Sequence, residues 1–499
     1  MRFLYDNIAP LFVAFVASMM AWLYGGMDAP SLASATPWLL LFLAEVIIVF
    51  PQKHAGESTY DCRERVWKAM KKDPLVWTGL GLILLLAIPF LNNGLCPNCD
   101  RVKIAAGVDP EPLITFIPWC VNRLQHYNVF LWFVTAITSM IAVKHALTHH
   151  GKRVFIKMVV WNGFLLAILG FVQIAAEAPG PLWRPIGKGD GSVVYFSTFG
   201  YPNMAGDYFT TLFGLAVACW RDAYEEVRAE LKALKDAAMK DRYRLFWRKY
   251  LYLVLAAVFF FAAINTLSRA AIILVTSLAG VYFLHTFIAF THRMKRAERV
   301  KKGTISLALV GLVIFFASLS IPEDLQHEVD TINADAVLER VSGKGQYHAR
   351  VATEIWKDNL LFGCGGWGYI HFCIPKMTPE ERKQLQKVGG INVHNDHLQF
   401  LAEHGLVGFG AMVIIVIMLL LPIYDDWRLR LKKLRFAKKH DLPAAPIQLF
   451  AIPAPVFIIL MTAVATAIHG FGDCPLRSAA VFVLFFSSLA ALPGFEEES

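Results

Sequence analysis

The segment that decides the fold spans residues 393–424 and reads VHNDHLQFLAEHGLVGFGAMVIIVIMLLLPIY. Its second part, Leu406–Tyr424, is an apolar run without a charged residue. A helix needs about 20 such residues to cross the hydrocarbon core of a bilayer, and this run has that length. The first part, 393–405, carries three histidines and two acidic residues. The segment therefore predicts a membrane-spanning helix with a polar stretch at one membrane surface.

Similar apolar runs recur along the whole chain of 499 residues. The sequence is 56% hydrophobic and 17% charged, whereas a soluble domain has about 25% charged residues. This composition excludes a disordered chain, a coiled coil, collagen and an ordinary soluble enzyme. We predict an all-α, polytopic membrane protein with about 12 transmembrane helices. The predicted spans are Ile8–Tyr24, Pro37–Phe50, Leu75–Leu91, Tyr127–Ala142, Phe155–Ala175, Ala205–Trp220, Tyr250–Thr266, Ala270–Phe290, Thr304–Ser320, Leu406–Tyr424, Ile447–Ile468 and Ser478–Leu492.

Charge is distributed unevenly among the connections between these spans. Five connections are rich in lysine and arginine, and the positive-inside rule places them in the cytoplasm. They are Gln52–Asp73, Lys144–Lys157, Arg221–Lys249, His292–Lys302 and Asp425–His440. Both termini are then cytoplasmic, and the mixed-charge connection 321–397 faces outside. The net charge is +9, and the basic residues lie in the connections between apolar spans. We therefore expect no nucleic-acid partner.

This orientation divides the chain into spans 1–9 (residues 1–320), an outer loop (321–397) and spans 10–12 (398–499). The outer loop is rich in aromatic residues, so we predict a folded helical cap between the ninth and tenth helices. Residues 1–35 could instead be a cleaved signal peptide, but the long apolar run favours an uncleaved first helix. The basic segment 221–249 is typical of a helix, either in solvent or along the inner membrane surface.

The polar stretch before the tenth span has the pattern of a short helix. Asp396 is a suitable N-cap residue with Gln399 as its reciprocal partner, and Gly405 suits the C-cap. His394 then stands immediately before a helix N-terminus, where the helix dipole favours anions and a neutral imidazole. General-base activation of an alcohol requires a neutral imidazole of this kind.

Three further pieces carry polar or glycine-rich patterns at predicted outer positions. They are residues 197–205, 265–271 and 346–369. The second joins two apolar helices with almost no loop. Its Arg269 needs an anionic partner such as a phosphate, unless the side chain extends to the lipid headgroups.

Together these pieces resemble the bacterial O-antigen ligase and polymerase superfamily over roughly Val154–Arg477. The most specific element is the stretch from His394-Asn395 to Glu403-His404-Gly405. The supporting elements are Gly200–Asn203, Ser268–Arg269 and Phe362–Gly365, and His469–Leu476 is similar to the short outer turn before the last helix. The resemblance implies transfer of a glycan from undecaprenyl diphosphate to an acceptor hydroxyl on the periplasmic side of the bacterial inner membrane. It also implies inversion of the anomeric centre, with no metal and no cofactor.

The same resemblance implies an acceptor, but it leaves several classes open. We favour an O-antigen ligase that transfers the glycan to lipid A-core. The alternatives within the superfamily are an O-antigen or exopolysaccharide polymerase, which extends a growing glycan, and transfer to a protein hydroxyl.

Carried over residue by residue, the resemblance makes His394 the base or the acceptor-orienting residue. Arg269 would bind the diphosphate with an outer-loop arginine, for which we choose Arg350 over Arg340. The predicted substrate-binding set also contains Asn203, Asn395 and His397. The residue types suit the chemistry, because arginines stabilise a departing diphosphate and a neutral histidine accepts the hydroxyl proton.

Other interpretations of these residues remain open. His394 could be a helix-capping residue without chemistry, or a ligand in a metal site with neighbours in the sequence. Those neighbours are His371, Asp396, His397 and His404. A lipid-linked glycan transporter is the alternative of a different class, and it would need midplane charges and paired broken helices. The main candidates for midplane charges are Glu45 and Asp207, and Asp207 is near a helix end. The polar groups gather on the outer face instead, so the sequence favours an enzyme.

Six of the eight cysteines lie in predicted outer connections. Thiols in an oxidising compartment usually form disulfides, although their pairing is not deducible from sequence. We expect a Cys364–Cys373 bridge and one bridge within Cys96–Cys120. A redox centre at Cys96-Pro97-Asn98-Cys99 is the alternative for that pair.

Overall fold

A computed structural model describes residues 7–92, 111–185, 194–233, 239–291, 345–388, 392–440 and 451–495, together with Cys99, Lys103, Ile104 and Val108. The predicted ninth span, Thr304–Ser320, lies outside these residues, as do Arg340, Cys96 and the basic connection His292–Lys302. The described part is helical without a β-strand, apart from one isolated bridge between Phe196 and Phe199. The all-α fold class is therefore confirmed for this part of the chain.

The helices of the first half are α1 (Ile8–Trp22), α2 (Ala29–Ile48), α3 (Thr59–Lys72), α4 (Pro74–Ala87), α5 (Arg123–Ile141), α6 (His149–Ala175), α7 (Pro202–Ala233), α8 (Met239–Asn265) and α9 (Arg269–Thr291). The helices of the second half are α10 (Gly345–Asp358), α11 (Tyr369–Phe372), α12 (Pro379–Val388), α13 (Asp396–Lys439), α14 (Ala454–Gly472) and α15 (Ala479–Ala491).

Each predicted span in the described residues coincides with one of these helices. Within the described residues, seven helices are long and apolar enough to cross a membrane, or eight if α3 and α4 form one span bent by 71°. Two further apolar helices, Ile8–Trp22 and Ala479–Phe495, are shorter. The total of about twelve stays a prediction. Two boundaries need correction.

The first correction is that α2 begins earlier than predicted, at Ala29. Asp28 caps it by accepting the backbone N–H of Ser31 at 3.2 Å, and Pro30 suits the first turn. The second is that the basic segment 221–249 is not one connecting helix. It is shared between the end of α7 and the start of α8, which Arg248 joins by ion pairs to Glu226 and Glu230.

The described connections between helices gather at two opposite ends of the bundle. At one end, Thr198 donates a hydrogen bond to the carbonyl of Ala21, and Ser478 donates one to the carbonyl of Gly25. Residues 345–388, here called the cap segment, pack at this end, which we call the cap end. At the other end, the basic end, Asp73 pairs with Lys144.

Helix α15 lies at the centre of the bundle. It is buried at every position except Phe485, as expected for a helix that is apolar on all sides. Its Phe482 packs on Phe133 of α5, with the ring centroids 4.9 Å apart, and on Phe400 of α13. The surrounding helices are therefore held in register by one buried helix that starts at the cap end.

Helix α13 is broken at Gly405, where a C-cap was predicted. Gly405 has φ +62° and ψ −172°, which L side chains rarely adopt. The backbone groups that the break frees are bonded by the cap segment. Leu406 N–H donates to the carbonyl of Leu360, and the carbonyl of Glu403 accepts from Gly365 N–H. The short first half of α13 is thus fixed to the cap segment by backbone hydrogen bonds.

We expect Gly405→Ala to destabilise the protein, because a Cβ there would lie 2.3 Å from the carbonyl carbon of Leu361. The unusual φ and ψ add about 1–3 kcal/mol of strain. The matched control is Gly410→Ala on the same helix, where a Cβ has no neighbour within 4 Å. Thermal unfolding in detergent should show a lower Tm for the first variant only. Equal Tm values would contradict this view of the break.

Candidate active site

His394 lies at the cap end, in the residue pair that leads into α13. Its backbone has φ +53°, a left-handed conformation that is uncommon for a residue other than glycine. This conformation directs the imidazole toward the turn that follows α14. There Nδ1 donates a hydrogen bond to Oδ1 of Asp473 at 3.2 Å. About a third of the His394 side chain (34%) stays exposed, so the ring is accessible from one side.

Asp473 is the residue on which the polar groups of this end converge. It follows the last residue of α14 and is 2% exposed. Its carboxylate accepts hydrogen bonds from the Tyr201 hydroxyl at 3.2 Å, from the Cys474 backbone N–H at 2.8 Å and from Asn203 Nδ2. These donors hold one anionic carboxylate between three segments of the chain.

The charge state of Asp473 follows from these contacts. Burial raises the pKa of this carboxyl, but the hydrogen bond from His394, and the positive charge that His394 and His469 carry when protonated, outweigh burial and lower the pKa to about 2. An ionised carboxylate accepts but cannot donate, so the proton between the two groups stays on Nδ1 of His394. In the neutral form of His394, Nε2 is then the nitrogen with a free lone pair.

Asn203 links this pair to the start of α9. Its Oδ1 accepts the hydroxyl hydrogen bond of Ser268 at 2.5 Å. Ser268 also caps α9, because its Oγ accepts the backbone N–H of Ala271 at 3.2 Å. Arg269, the first residue of α9, is half-buried beside this cap. The positive end of the α9 dipole therefore lies next to the His394–Asp473 pair.

A second ionisable pair lies one helical turn farther into the bundle. Asp207 is four residues after Asn203 on α7, and His469 is four residues before Asp473 on α14. Their side chains are 1% exposed and are joined by a hydrogen bond of 2.9 Å. Thr466 donates to the other oxygen of Asp207 at 3.0 Å. This pair lies on the bundle side of the site and joins α7 to α14.

A buried arginine joins the cap segment to the bundle. Arg477 is 0% exposed, and its Nη1 lies 2.7 Å from Oε2 of Glu403. Asp396, also fully buried, lies 3.8 Å from Arg477 Nε and accepts the backbone N–H of Leu476. The guanidinium stacks over the Trp367 ring, 5.0 Å from its centroid. The segment 473–477 thus anchors both the polar half of α13 and the cap segment.

The predicted N-cap of α13 is wrong by one residue. Asn395 is the N-cap, with its Oδ1 accepting the Leu398 backbone N–H at 3.0 Å. Asp396 is turned inward because its carboxylate accepts the backbone N–H of Leu476 and pairs with Arg477. Gln399 bonds back to the chain before the helix, accepting the N–H of Val393 at 3.1 Å.

A second imidazole of the cap segment lies beside His394. The ring of His348, on α10, has its centroid 6.2 Å from that of His394, and its Nδ1 is hydrogen-bonded to the Tyr369 hydroxyl at 2.7 Å. Burial, and then the charge of His394, lower the pKa of His348 to about 4. His348 is therefore a neutral wall of the site.

The structure does not bring the remaining predicted residues into this network. Arg350 is on the exposed face of α10 and forms ion pairs with Glu354 at 2.6 Å and Glu381 at 2.8 Å. His397 donates from Nε2 to the carbonyl of Ala467 at 2.9 Å, which positions α13 against α14. The roles of both residues in substrate binding stay predictions.

The side chains that converge on a possible metal position differ from those considered in the sequence. In the described residues, His394, Asp473 and Cys474 form the group whose ligand atoms lie within 4.8 Å of one another. The imidazoles of His371 and His397 bond to other partners, Gln125 and Ala467. The acidic member Asp473 was not predicted; its signal was a lone carboxylate in the predicted outer turn between the last two spans.

The predicted disulfides are not formed where the structure describes them. Cys364 and Cys120 are buried thiols, so the Cys364–Cys373 bridge and any bridge through Cys120 are wrong. Cys120 instead donates to the carbonyl of Pro89. Cys364 packs under the glycine turn, where a Cβ on Gly368 would lie 2.5 Å from its Sγ. Both thiols serve as small buried packing groups.

Residues 251–413 match the family described as O-antigen ligase. This part of the chain is similar to that family. The match confirms the superfamily resemblance over about a third of the chain, from α8 to the middle of α13. It includes Arg269, the cap segment and His394, whereas Asn203, Asp473 and Arg477 lie outside it. The comparison with curated proteins finds no match.

We expect Arg477→Met to cost about 3–5 kcal/mol of folding free energy, because it leaves Asp396 and Glu403 buried without their cation. Adding Glu403→Gln to this variant should recover part of the loss, since one uncompensated charge is removed. Arg430→Met, which breaks an i,i+4 pair with Asp426, is the control and should cost below about 0.5 kcal/mol. Thermal unfolding measures all three. No difference between Arg477→Met and the control would contradict the anchoring role.

Proposed function

We propose that this O-antigen ligase family protein is an inner-membrane glycosyltransferase. It transfers a glycan from undecaprenyl diphosphate to an acceptor hydroxyl on the periplasmic side, and its preferred acceptor is lipid A-core. The observation that carries the proposal is the hydrogen bond from His394 Nδ1 to the buried, ionised Asp473, with the His394 ring open on its other side.

His394 is the general base in this proposal. Asp473 holds the proton on Nδ1, so Nε2 presents its lone pair to the acceptor hydroxyl. As the hydroxyl oxygen attacks the anomeric carbon, its proton passes to Nε2, and the imidazolium that forms is stabilised by Asp473. The neutral His348 wall beside His394 adds no competing positive charge.

Arg269 and the start of α9 stabilise the leaving group. As the bond from the anomeric carbon to the diphosphate oxygen breaks, negative charge grows on the diphosphate. The Arg269 guanidinium supplies hydrogen bonds to the diphosphate, and the N-terminus of α9 supplies the positive end of the helix dipole. The chain Arg269–Ser268–Asn203–Asp473 therefore couples the diphosphate position to the base. One displacement of this kind inverts the anomeric centre and requires no metal.

The distribution of charge supports a periplasmic location for this chemistry. The described basic connections lie at the end opposite His394, which the positive-inside rule assigns to the cytoplasm. Helix α1 runs toward the cap end, and α15 runs away from it. The two ends of the described chain therefore lie at the basic end. This arrangement supports cytoplasmic termini.

The broken helix α13 does not favour the transporter alternative. In transporters, the backbone groups freed by such a break line a substrate cavity. Here the cap segment bonds the backbone at the break, through Leu360, Leu361 and Gly365. The bonded break makes this part of the protein rigid, which favours an enzyme with its site on one face over a transporter.

The test is transfer by the purified full-length protein, with a lipid-diphosphate glycan, lipid A-core and EDTA present. His394→Ala should lower kcat by about 10²–10⁴-fold, because the general base is lost. Arg269→Ala should lower it about a hundredfold or more, because the diphosphate charge is no longer stabilised. Arg350→Ala tests the loop arginine, and Arg382→Ala, which removes another exposed arginine of the cap segment, is its control.

The acceptors distinguish the alternatives. Product on lipid A-core identifies a ligase, and elongation of the donor glycan without lipid A-core identifies a polymerase. Wild-type rates in both His394→Ala and Arg269→Ala would refute the proposed mechanism. Absence of transfer to every acceptor, with donor binding retained, would favour the transporter.

A further inference from the structure

We propose that His394, Asp473 and Cys474 form an inhibitory binding site for a thiophilic divalent cation such as Zn²⁺. This inference rests on the proposed function, because the cation acts by occupying the nitrogen that orients the base. Oδ1 of Asp473 lies 3.2 Å from Nδ1 of His394 and 3.3 Å from Sγ of Cys474. All three ligand atoms lie within 4.8 Å of one another.

These separations are close to those that a tetrahedral zinc ion imposes. With Zn–N and Zn–O bonds near 2.0–2.1 Å and a Zn–S bond near 2.3 Å, neighbouring ligand atoms are about 3.4–3.6 Å apart. Two of the three separations already fit, and the third, which is within 4.8 Å, closes with a shift of at most about 1 Å. Imidazole, carboxylate and thiolate are common zinc ligands. The exposed side of His394 leaves room for water as a fourth ligand.

The charge around the site also favours a cation. Asp207, Asp396, Glu403 and Asp473 are each at most 2% exposed, and within the described residues the fully buried guanidinium that faces them is Arg477. Arg269 is half-buried at the edge of this group. His469 pairs with Asp207 and Arg477 pairs with Glu403, so a dication would add positive charge beside the remaining buried carboxylate, Asp473.

Binding requires the loss of one proton. The Cys474 side chain is 1% exposed, and its thiol must lose its proton to bind the metal as a thiolate. That proton passes to solvent. A metal ion bound at Nδ1 of His394 leaves the imidazole proton on Nε2.

This change of tautomer explains why the cation inhibits. In the metal-free protein, Nε2 has the lone pair that accepts the acceptor proton. In the metal-bound protein, Nε2 carries a proton and cannot act as a base. The ion therefore stops transfer without occupying the diphosphate position near Arg269.

The first experiment measures zinc binding without any need for activity. Full-length protein in detergent is titrated with Co²⁺, whose thiolate complexes give a near-ultraviolet charge-transfer band. We expect the band in the wild type and in Cys364→Ser, a matched variant of another buried thiol, and its loss in Cys474→Ser. No band in the wild type, or a band that persists in Cys474→Ser, would overturn the site.

The second experiment measures inhibition of transfer by Zn²⁺, with each variant compared to its own zinc-free rate. Zn²⁺ should inhibit the wild type, and EDTA should reverse the inhibition. Cys474→Ser should need at least about tenfold more zinc for the same inhibition, because one metal ligand is lost. Equal sensitivity of wild type and Cys474→Ser, or stimulation by Zn²⁺, would overturn the inference. An inactive wild type refutes the proposed function, while the cobalt titration still decides the metal site.

Discussion

The buried ion cluster of Arg477 with Glu403 and Asp396 is the interaction on which the rest of the cap end depends. It joins three parts of the chain that are far apart in sequence: the turn after α14, the polar half of α13 and, through Trp367, the cap segment. Charges buried this completely are tolerated only when they are paired and hydrogen-bonded. The sequence of this turn, 473–477, therefore places Asp473 at a fixed position relative to α13.

The position of His394 follows from that constraint. Asp396 is held inward by Arg477 and Leu476, so Asn395 becomes the N-cap and His394 adopts its left-handed backbone just before it. The break at Gly405 keeps the polar half of α13 short and fixed to the cap segment. The candidate base is thus oriented by a rigid surrounding structure, and its partner Asp473 comes from a different helix, outside the family segment.

Much of this arrangement was predictable from local sequence. Apolar runs locate the spans, Gly405 marks the end of a short helix, and His394, Asn203 and Arg269 stand out as polar residues at helix starts. The partners were not predictable, because a lone Asp473 or Arg477 in a short turn carries no signal of what it contacts across the bundle. The N-cap of α13 was predicted as Asp396 and is Asn395 for the same reason. Local propensity allows either residue at this position, and the contact of Asp396 with the distant Arg477 leaves Asn395 as the N-cap. The disulfides failed for a similar reason, since buried thiols also serve as packing groups.

The most direct test of the account is the transfer rate of Asp473→Asn, measured beside wild type with matched thermal stability and donor binding. Asparagine keeps the volume of the side chain but removes the anion that fixes the His394 proton on Nδ1. The account predicts that kcat falls by about 10²–10⁴-fold while the KM for the lipid-linked donor changes little. A wild-type kcat in this variant would show that Asp473 does not orient the base, and would contradict the proposed mechanism.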